Sequence, residues 1–126
     1  MSTSRLDTSI PDYFLGQAVT TGQVISGPIF PLYGAVGFHA TGMTTGGAAG
    51  NLILYTSSID PQLSPLNSAY PAQAGAISAT IAANGVNILS LATNNAQIYA
   101  RFGWLSFSPS ASGTLYVGVN IRRYNA

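Results

Sequence analysis

The chain reads as an all-β protein: a single-domain antiparallel β-sandwich of jelly-roll type with an extended N-terminal arm, an immunoglobulin-like order being the alternative topology. Three observations predict this. Apolar residues recur at every second position in several short runs, the period that puts alternate side chains on one face of a strand. About seven or eight such runs follow one another, roughly 8 to 15 residues apart. Turn chemistry rich in Gly, Pro, Asn and Ser separates them, and no stretch carries the spacing of an amphipathic helix. At 126 residues the chain fits one domain. Its expected parts are an arm over residues 1–18 and a sandwich over residues 19–126.

Residues 1–18 show no periodicity, yet Ile10-Pro11-Asp12-Tyr13-Phe14-Leu15-Gly16 is an apolar knot between polar stretches. Loose Tyr13, Phe14 and Leu15 would expose costly apolar surface, so they are expected to dock on this subunit or a neighbour. Residues 19–26 form a candidate edge strand, and 27–34, with Pro28 and Pro31 unable to donate to a ladder, cross between sheets. Residues 35–41 are a strand with Val36, Phe38 and Ala40 on one face and Ala35, Gly37, His39 and Thr41 on the other. Residues 42–50 read as a Gly/Thr/Ala loop. The continuous Leu-Ile-Leu-Tyr run within residues 51–58 implies a strand covered on both faces. Residues 59–75, with Pro61, Pro65 and Pro71, read as a long loop, a kind that is usually functional. Ile77, Ser78, Thr80 and Ile81 favour a strand over residues 76–83, with Ile77, Ala79, Ile81 and Ala83 inward. Asn84-Gly85 is a two-residue hairpin signal leading into a strand over residues 86–92, and residues 93–96 are a turn.

The last quarter is the strongest pattern. Residues 97–108 and 113–124 alternate on either side of Pro109-Ser110-Ala111-Ser112 and predict a β-hairpin. Leu115, Val117, Val119 and Ile121 share one face, against Tyr116, Gly118, Asn120 and Arg122 on the other. In the preceding run Ile98, Ala100, Phe102 and Trp104 oppose Tyr99, Arg101, Gly103, Leu105 and Phe107. Both of its faces are apolar enough to be covered. The first set is expected to close the core.

Charged residues are only 6 % of the chain, against roughly a quarter in ordinary domains. Lys and Glu are absent, and the charges are Arg5, Asp7, Asp12, Asp60, Arg101, Arg122 and Arg123. One explanation is a coat of neutral polar groups. The other is a surface covered in a permanent assembly, because interface cores lose Lys and Glu while keeping Arg and aromatics, and the chain holds 7 Tyr, 5 Phe and 1 Trp. A net charge of +1 with no basic run gives no case for nucleic acid or an anionic membrane. With no Cys there is no disulfide framework or thiolate metal site. The N-terminus lacks a signal-peptide core, and no run approaches a membrane helix, so synthesis in a cytoplasm is expected.

Catalysis finds little to work with. His39 is the sole histidine, and the nearest carboxylate in sequence is Asp60, so neither a zinc site nor a Ser/His/Asp relay is suggested. Two-carboxylate chemistry would need Asp60 to meet Asp7 or Asp12 across the fold. Residues 42–50 lack the Lys-Ser/Thr ending of a phosphate loop. No catalytic residue, metal ligand or cofactor is therefore assigned. Tyr99, Trp104 and Tyr116 would make a sugar-binding platform if exposed, whereas sharing a face with Ile98 and Phe102 argues that Trp104 is core.

Residues 50–58, Gly-Asn-Leu-Ile-Leu-Tyr-Thr-Ser-Ser, carry a G-x-L-x-L strand, and residues 99–117 pair a Y-x-R strand with a Ser/Pro/Gly turn and a closing Gly113-Thr114-Leu115-Tyr116-Val117 strand. This pattern, over about three-fifths of the chain, resembles small β-sandwich virion proteins of tailed bacteriophages. It departs at Thr56-Ser57-Ser58, where that family commonly has a Ser-Asn-Asp turn and an aromatic. The resemblance implies a non-enzymatic head decoration, or cement, protein that binds the major capsid protein on the outer surface of the virion as an oligomer, often a homotrimer. The capsid or subunit interface would then use Arg5, Asp7, Asp12, Tyr13, Phe14 and Leu15 of the arm, and Tyr99, Arg101, Tyr116, Arg122 and Arg123 of the sandwich. A tail or head-fibre component, or a carbohydrate-binding sandwich recognising host glycans, is the alternative.

Overall fold

A computed structural model describes residues 4–7, 14–60 and 75–124. The described residues are almost entirely strand: β1 (Ser4–Asp7), β2 (Phe14–Val19), β3 (Ile25–Ser26), β4 (Phe30–Pro31), β5 (Ala35–Thr45), β6 (Ala49–Ser57), β7 (Gly75–Ile81), β8 (Val86–Leu91), β9 (Phe102–Ala111) and β10 (Gly113–Tyr124). A 3-10 turn, Ala96–Tyr99, precedes β9. The strands form two five-stranded antiparallel sheets. In the first the order is β1-β10-β5-β8 with β2 also on β10; in the second it is β3-β9-β6-β7 with β4 also on β9.

The path between the sheets defines the topology. From β2 the chain enters the second sheet at β3 and β4, returns to the first at β5, crosses again to β6, and crosses at each later connection except β6 to β7. That alternation is a jelly roll. An immunoglobulin-like order would keep more sequential pairs within one sheet. The N-terminal segment contributes to the sandwich itself, since β1 and β2 both run antiparallel to β10 and the boundary expected at residue 18 falls inside β2.

Two expected hairpins are therefore not hairpins. β9 pairs with β6, β3 and β4, while β10 pairs with β5, β1 and β2, so the tight reversal at Ser112 steps across the sandwich. The same holds at Asn84-Gly85: β7 pairs with β6 and β8 with β5. Asn84 does take the left-handed conformation its position calls for, with φ 51°. Alternation reports that one face of a strand is buried but not which sheet it belongs to, because both sheets face the same core.

Other boundaries also move. The edge strand expected over residues 19–26 shrinks to β3, because Thr21 and Gly22 turn after β2. Residues 27–34 leave the second sheet for the first as expected, but only after pairing along β9 through β4. Residues 42–50 are not a loop: β5 runs to Thr45 and β6 starts at Ala49. Gly42 is a strand interior whose missing side chain makes room for Ile81 from the opposite sheet; a Cβ there would come 2.5 Å from the Ile81 Cδ1. Ala83 lies in the turn after β7 rather than inward.

The core fills the space between the sheets. Leu115, Val117, Val119 and Ile121 of β10 face it as the pattern predicts, opposite Leu52, Leu54, Leu105 and Phe107. Phe30 and Phe38 stack with ring centroids 5.7 Å apart. Gly103 lets Phe30 and Leu32 approach β9, since a Cβ there would meet each at 2.9 Å. In β9 the inward set is thus Gly103, Leu105 and Phe107, and the expectation that Phe102 and Trp104 close the core is corrected. The 3-10 turn resets the phase, so Ile98 reaches the core from the turn whereas Trp104, on β9, does not. Trp104 is nonetheless 0 % exposed, stacked on its cross-strand partner Tyr55 at 5.7 Å on the outward side. Ser106, next on that side, donates to the Ile25 carbonyl at 2.9 Å and shares a 2.8 Å bond with Ser26. Both faces of β9 are covered, as its composition demanded.

Candidate functional site

Among the described residues, the outward face of the first sheet carries a row of exposed apolar side chains. Register builds it row by row. Met43 of β5 lies between Tyr116 of β10 and Val86 of β8. One row further, Thr41 lies between Gly118 and Ile88. On the far side of Tyr116, β2 brings Leu15 and Gly16, and the bulge between Leu115 and Val117 lets the Gly16 backbone approach the Tyr116 ring. The result is a stripe across four strands in which Leu15 is 71 % exposed, Val86 62 %, Ile88 53 % and Met43 39 %. A cleft of about 250 Å³ opens at its β2 end, walled by Leu15, Met43, Tyr116 and Gly118. No charged residue stands in the stripe. Isolated exposed Leu or Val side chains are ordinary; a contiguous row marks an interaction surface.

Beyond the stripe the same face becomes polar. His39 lies between Asn120 and Ser90, and Arg122 lies opposite Gly37. His39, Asn120 and Arg122 are exposed around a shallow cleft of about 220 Å³ that also touches Leu91 and Ala92. No group of three or more His, Cys, Asp or Glu among the described residues is placed to hold a metal ion.

The expected interface residues separate into groups. Leu15 and Tyr116 meet in the stripe. Phe14 points the other way and is buried in the core, so it anchors β2 to its own subunit. Arg5 and Asp7 lie on β1 opposite Arg123 and Ile121 respectively. Asp12 and Tyr13 lie outside the described residues. Arg123 donates to the carbonyls of Tyr33 and Pro31 at 2.9 and 2.7 Å, tying the end of β10 to the turn before β5. Arg122, its neighbour in sequence, is on the outward face. Tyr99 and Arg101 sit elsewhere, before β9: the Tyr99 hydroxyl donates to the Thr93 carbonyl at 2.8 Å, and the Arg101 guanidinium lies 5.6 Å from the Phe102 ring centre. A sugar platform of Tyr99, Trp104 and Tyr116 does not form, because Trp104 is fully buried and the two tyrosines are on different elements.

Sequence reasoning missed Met43, Val86 and Ile88. Val86 and Ile88 lie in a run read as a strand without assigned faces and Met43 in residues read as a loop, and their coming together depends on β5 and β8 being neighbours.

No family model matches the chain, and no curated protein is detectably similar in sequence. Among solved structures it is similar to a chain of rhinovirus-B5, with 16 % identity and a TM-score of 0.48 over 86 % of this chain and 62 % of that one. It is also similar to a chain of Triatoma virus (10 %, TM-score 0.42, covering 89 % and 64 %) and to one of Mud crab tombus-like virus (12 %, TM-score 0.33, covering 99 % and 83 %). The chain thus spans less than two thirds of the rhinovirus chain's length. The jelly-roll assignment stands on the strand order alone.

Proposed function

We propose that this chain is a non-enzymatic virion structural protein, a decoration or cement subunit that binds the outer surface of a capsid shell as an oligomer. The observation that carries the reading is the uncharged apolar stripe of Leu15, Met43, Tyr116, Val86 and Ile88 on the outward face of the first sheet. A charge content of 6 % agrees with it, since such a surface has little electrostatic protection against association and suits one that is permanently covered. The jelly roll is compatible by analogy only, because viral capsid domains, lectins and cupins all use it.

Magnitudes favour an oligomer on a lattice over a simple pair. Fully burying one such aliphatic side chain contributes about 1.5 to 3 kcal/mol. The four most exposed are already partly covered, so the stripe offers roughly 3 to 6 kcal/mol. Association costs about 4 to 15 kcal/mol. A single stripe is marginal; several linked in one oligomer hold through effective concentration. A trimer is the state proposed. A molecule that bridges neighbours in the mature lattice and lacks its site in the precursor stabilises the mature shell by mass action.

The test is a Val86→Ser/Ile88→Ser double variant. Its melting temperature should stay close to the parent's, while occupancy on stripped shells of the parent virus falls at least about tenfold, one such side-chain contribution being worth that factor. Unchanged occupancy and unchanged solution mass would overturn the assignment of the stripe.

A further inference from the structure

We propose that His39, Asn120 and Arg122 form a carboxylate socket beside the stripe, which receives an acidic side chain of the protein that covers it. The identity of that partner rests on the structural role proposed above; the socket itself rests on local geometry.

β5 and β10 place His39 and Asn120 as direct antiparallel partners, with Cα atoms about 4.5 to 5.5 Å apart. Arg122 follows Asn120 two residues along the same strand, on the same face and about 6.8 Å away. Three residues with N–H donors on their side chains therefore share one patch of the outward face and line the same cleft. An arginine fork offers the paired donors that match a carboxylate's two oxygens, the Asn amide adds one, and the imidazole donates in either protonation state. Gly37 lines the cleft opposite Arg122: a Cβ there would already touch the Arg122 Cβ at 3.7 Å, so a branched side chain would take up space in the cleft. None of the described side chains pairs with Arg122, in contrast to Arg123, whose guanidinium is committed to two carbonyls. Asp60 lies beyond the end of β6, and the residues described as lining the cleft include no carboxylate.

A protein carboxylate is favoured over an acidic sugar for two reasons. The cleft, about 220 Å³, has no exposed aromatic ring on its rim for a sugar to stack on; its one aromatic, Phe38, is core. It is also continuous with the stripe, His39 being two residues from Thr41 on the same outward face of β5. A partner segment crossing this face would bury apolar side chains at the Val86 end and set a carboxylate at the Arg122 end.

The experiment titrates the free, full-length protein with glutarate and, separately, glucuronate, following the Asn120 side-chain amide, the Arg122 Nε–H and the His39 ring by NMR. Saturable shifts with glutarate are expected. Arg122→Gln should weaken them about tenfold or more, as loss of a charge-assisted hydrogen bond does, and Gly37→Val should abolish them, with the remaining amide spectrum of both variants unchanged. Shifts with glucuronate but not glutarate would overturn the protein-partner assignment in favour of an acidic glycan. No shift at these three residues with either probe would overturn the socket. Because no shell is present, none of these outcomes depends on the stripe's role.

Discussion

At the scale of single residues, burial and pairing decide what each side chain does, and neighbours in sequence diverge sharply. Phe14 is in the core and Leu15 is in solvent. Phe14→Ala should therefore lower stability by about 3 to 5 kcal/mol, while Leu15→Ser should stay within about 0.5 kcal/mol of the parent, both read by chemical denaturation. Equal losses would mean that β2 is not seated as described. Trp104→Ala should also cost about 3 to 5 kcal/mol, although the ring lies outside the inter-sheet core, because it loses its whole burial and its stacking on Tyr55. The buried Thr44 hydroxyl fastens the turn between β7 and β8 to β5, donating to the Ala82 carbonyl at 2.9 Å and accepting from the Gly85 N–H at 3.1 Å. Thr44→Val keeps the shape and removes both bonds, leaving the Gly85 N–H and the Ala82 carbonyl only their mutual 3.0 Å bond. A loss of about 0.5 to 1.5 kcal/mol is expected, and a neutral result would show that water replaces the hydroxyl.

At the scale of elements, β8 ends the first sheet and β7 ends the second, side by side along one side of the sandwich, and exposed strand edges invite pairing with other chains. Asn87 closes part of this opening. Its amide donates to the Thr80 carbonyl of β7 at 2.7 Å, and its carbonyl accepts the Ile88 N–H of β8 at 2.8 Å, so one side chain bridges the two sheets. Asn87→Val should leave β8 paired with β5 yet raise the rate of aggregation, measured by light scattering at fixed concentration. No increase would show that the edge is shielded by other means. The connections around this edge also explain how the sequence misleads. Asn84-Gly85 and the Pro109–Ser112 region carry sound reversal chemistry, yet both reversals change sheet. Turn residues set local backbone angles, whereas partner choice is set by which strands are already beside each other across the core.

At the scale of the whole molecule, an apolar stripe across one face and few charges overall leave little electrostatic protection against association. If it acts as cement, shells saturated with it should withstand heating better than bare shells. At a free concentration a hundred times the dissociation constant, each site gains about 2.7 kcal/mol. Thermal rupture followed by light scattering, with and without the protein, measures this. Equal rupture temperatures would remove the cement role while leaving open a passive place on the particle.

The sequence by itself determined the all-β class, the inward set of β10, the strand over residues 51–58, the strand expected over residues 76–83 except for its last two residues, and the coverage of both faces of β9, because each follows from local alternation and from the hydrophobic cost of exposing those residues. Leu15 and Tyr116, expected at an interface, are placed together on the outward face. Only the tertiary structure decided that consecutive strands belong to opposite sheets, that Leu105 rather than Trp104 faces the core, and that Met43, Val86 and Ile88 join Leu15 in one stripe. Those outcomes depend on register between strands far apart in the chain. His39 shows the difference most clearly: alone in the sequence it had no partner, and the pairing of β5 with β10 sets it beside Asn120 and Arg122.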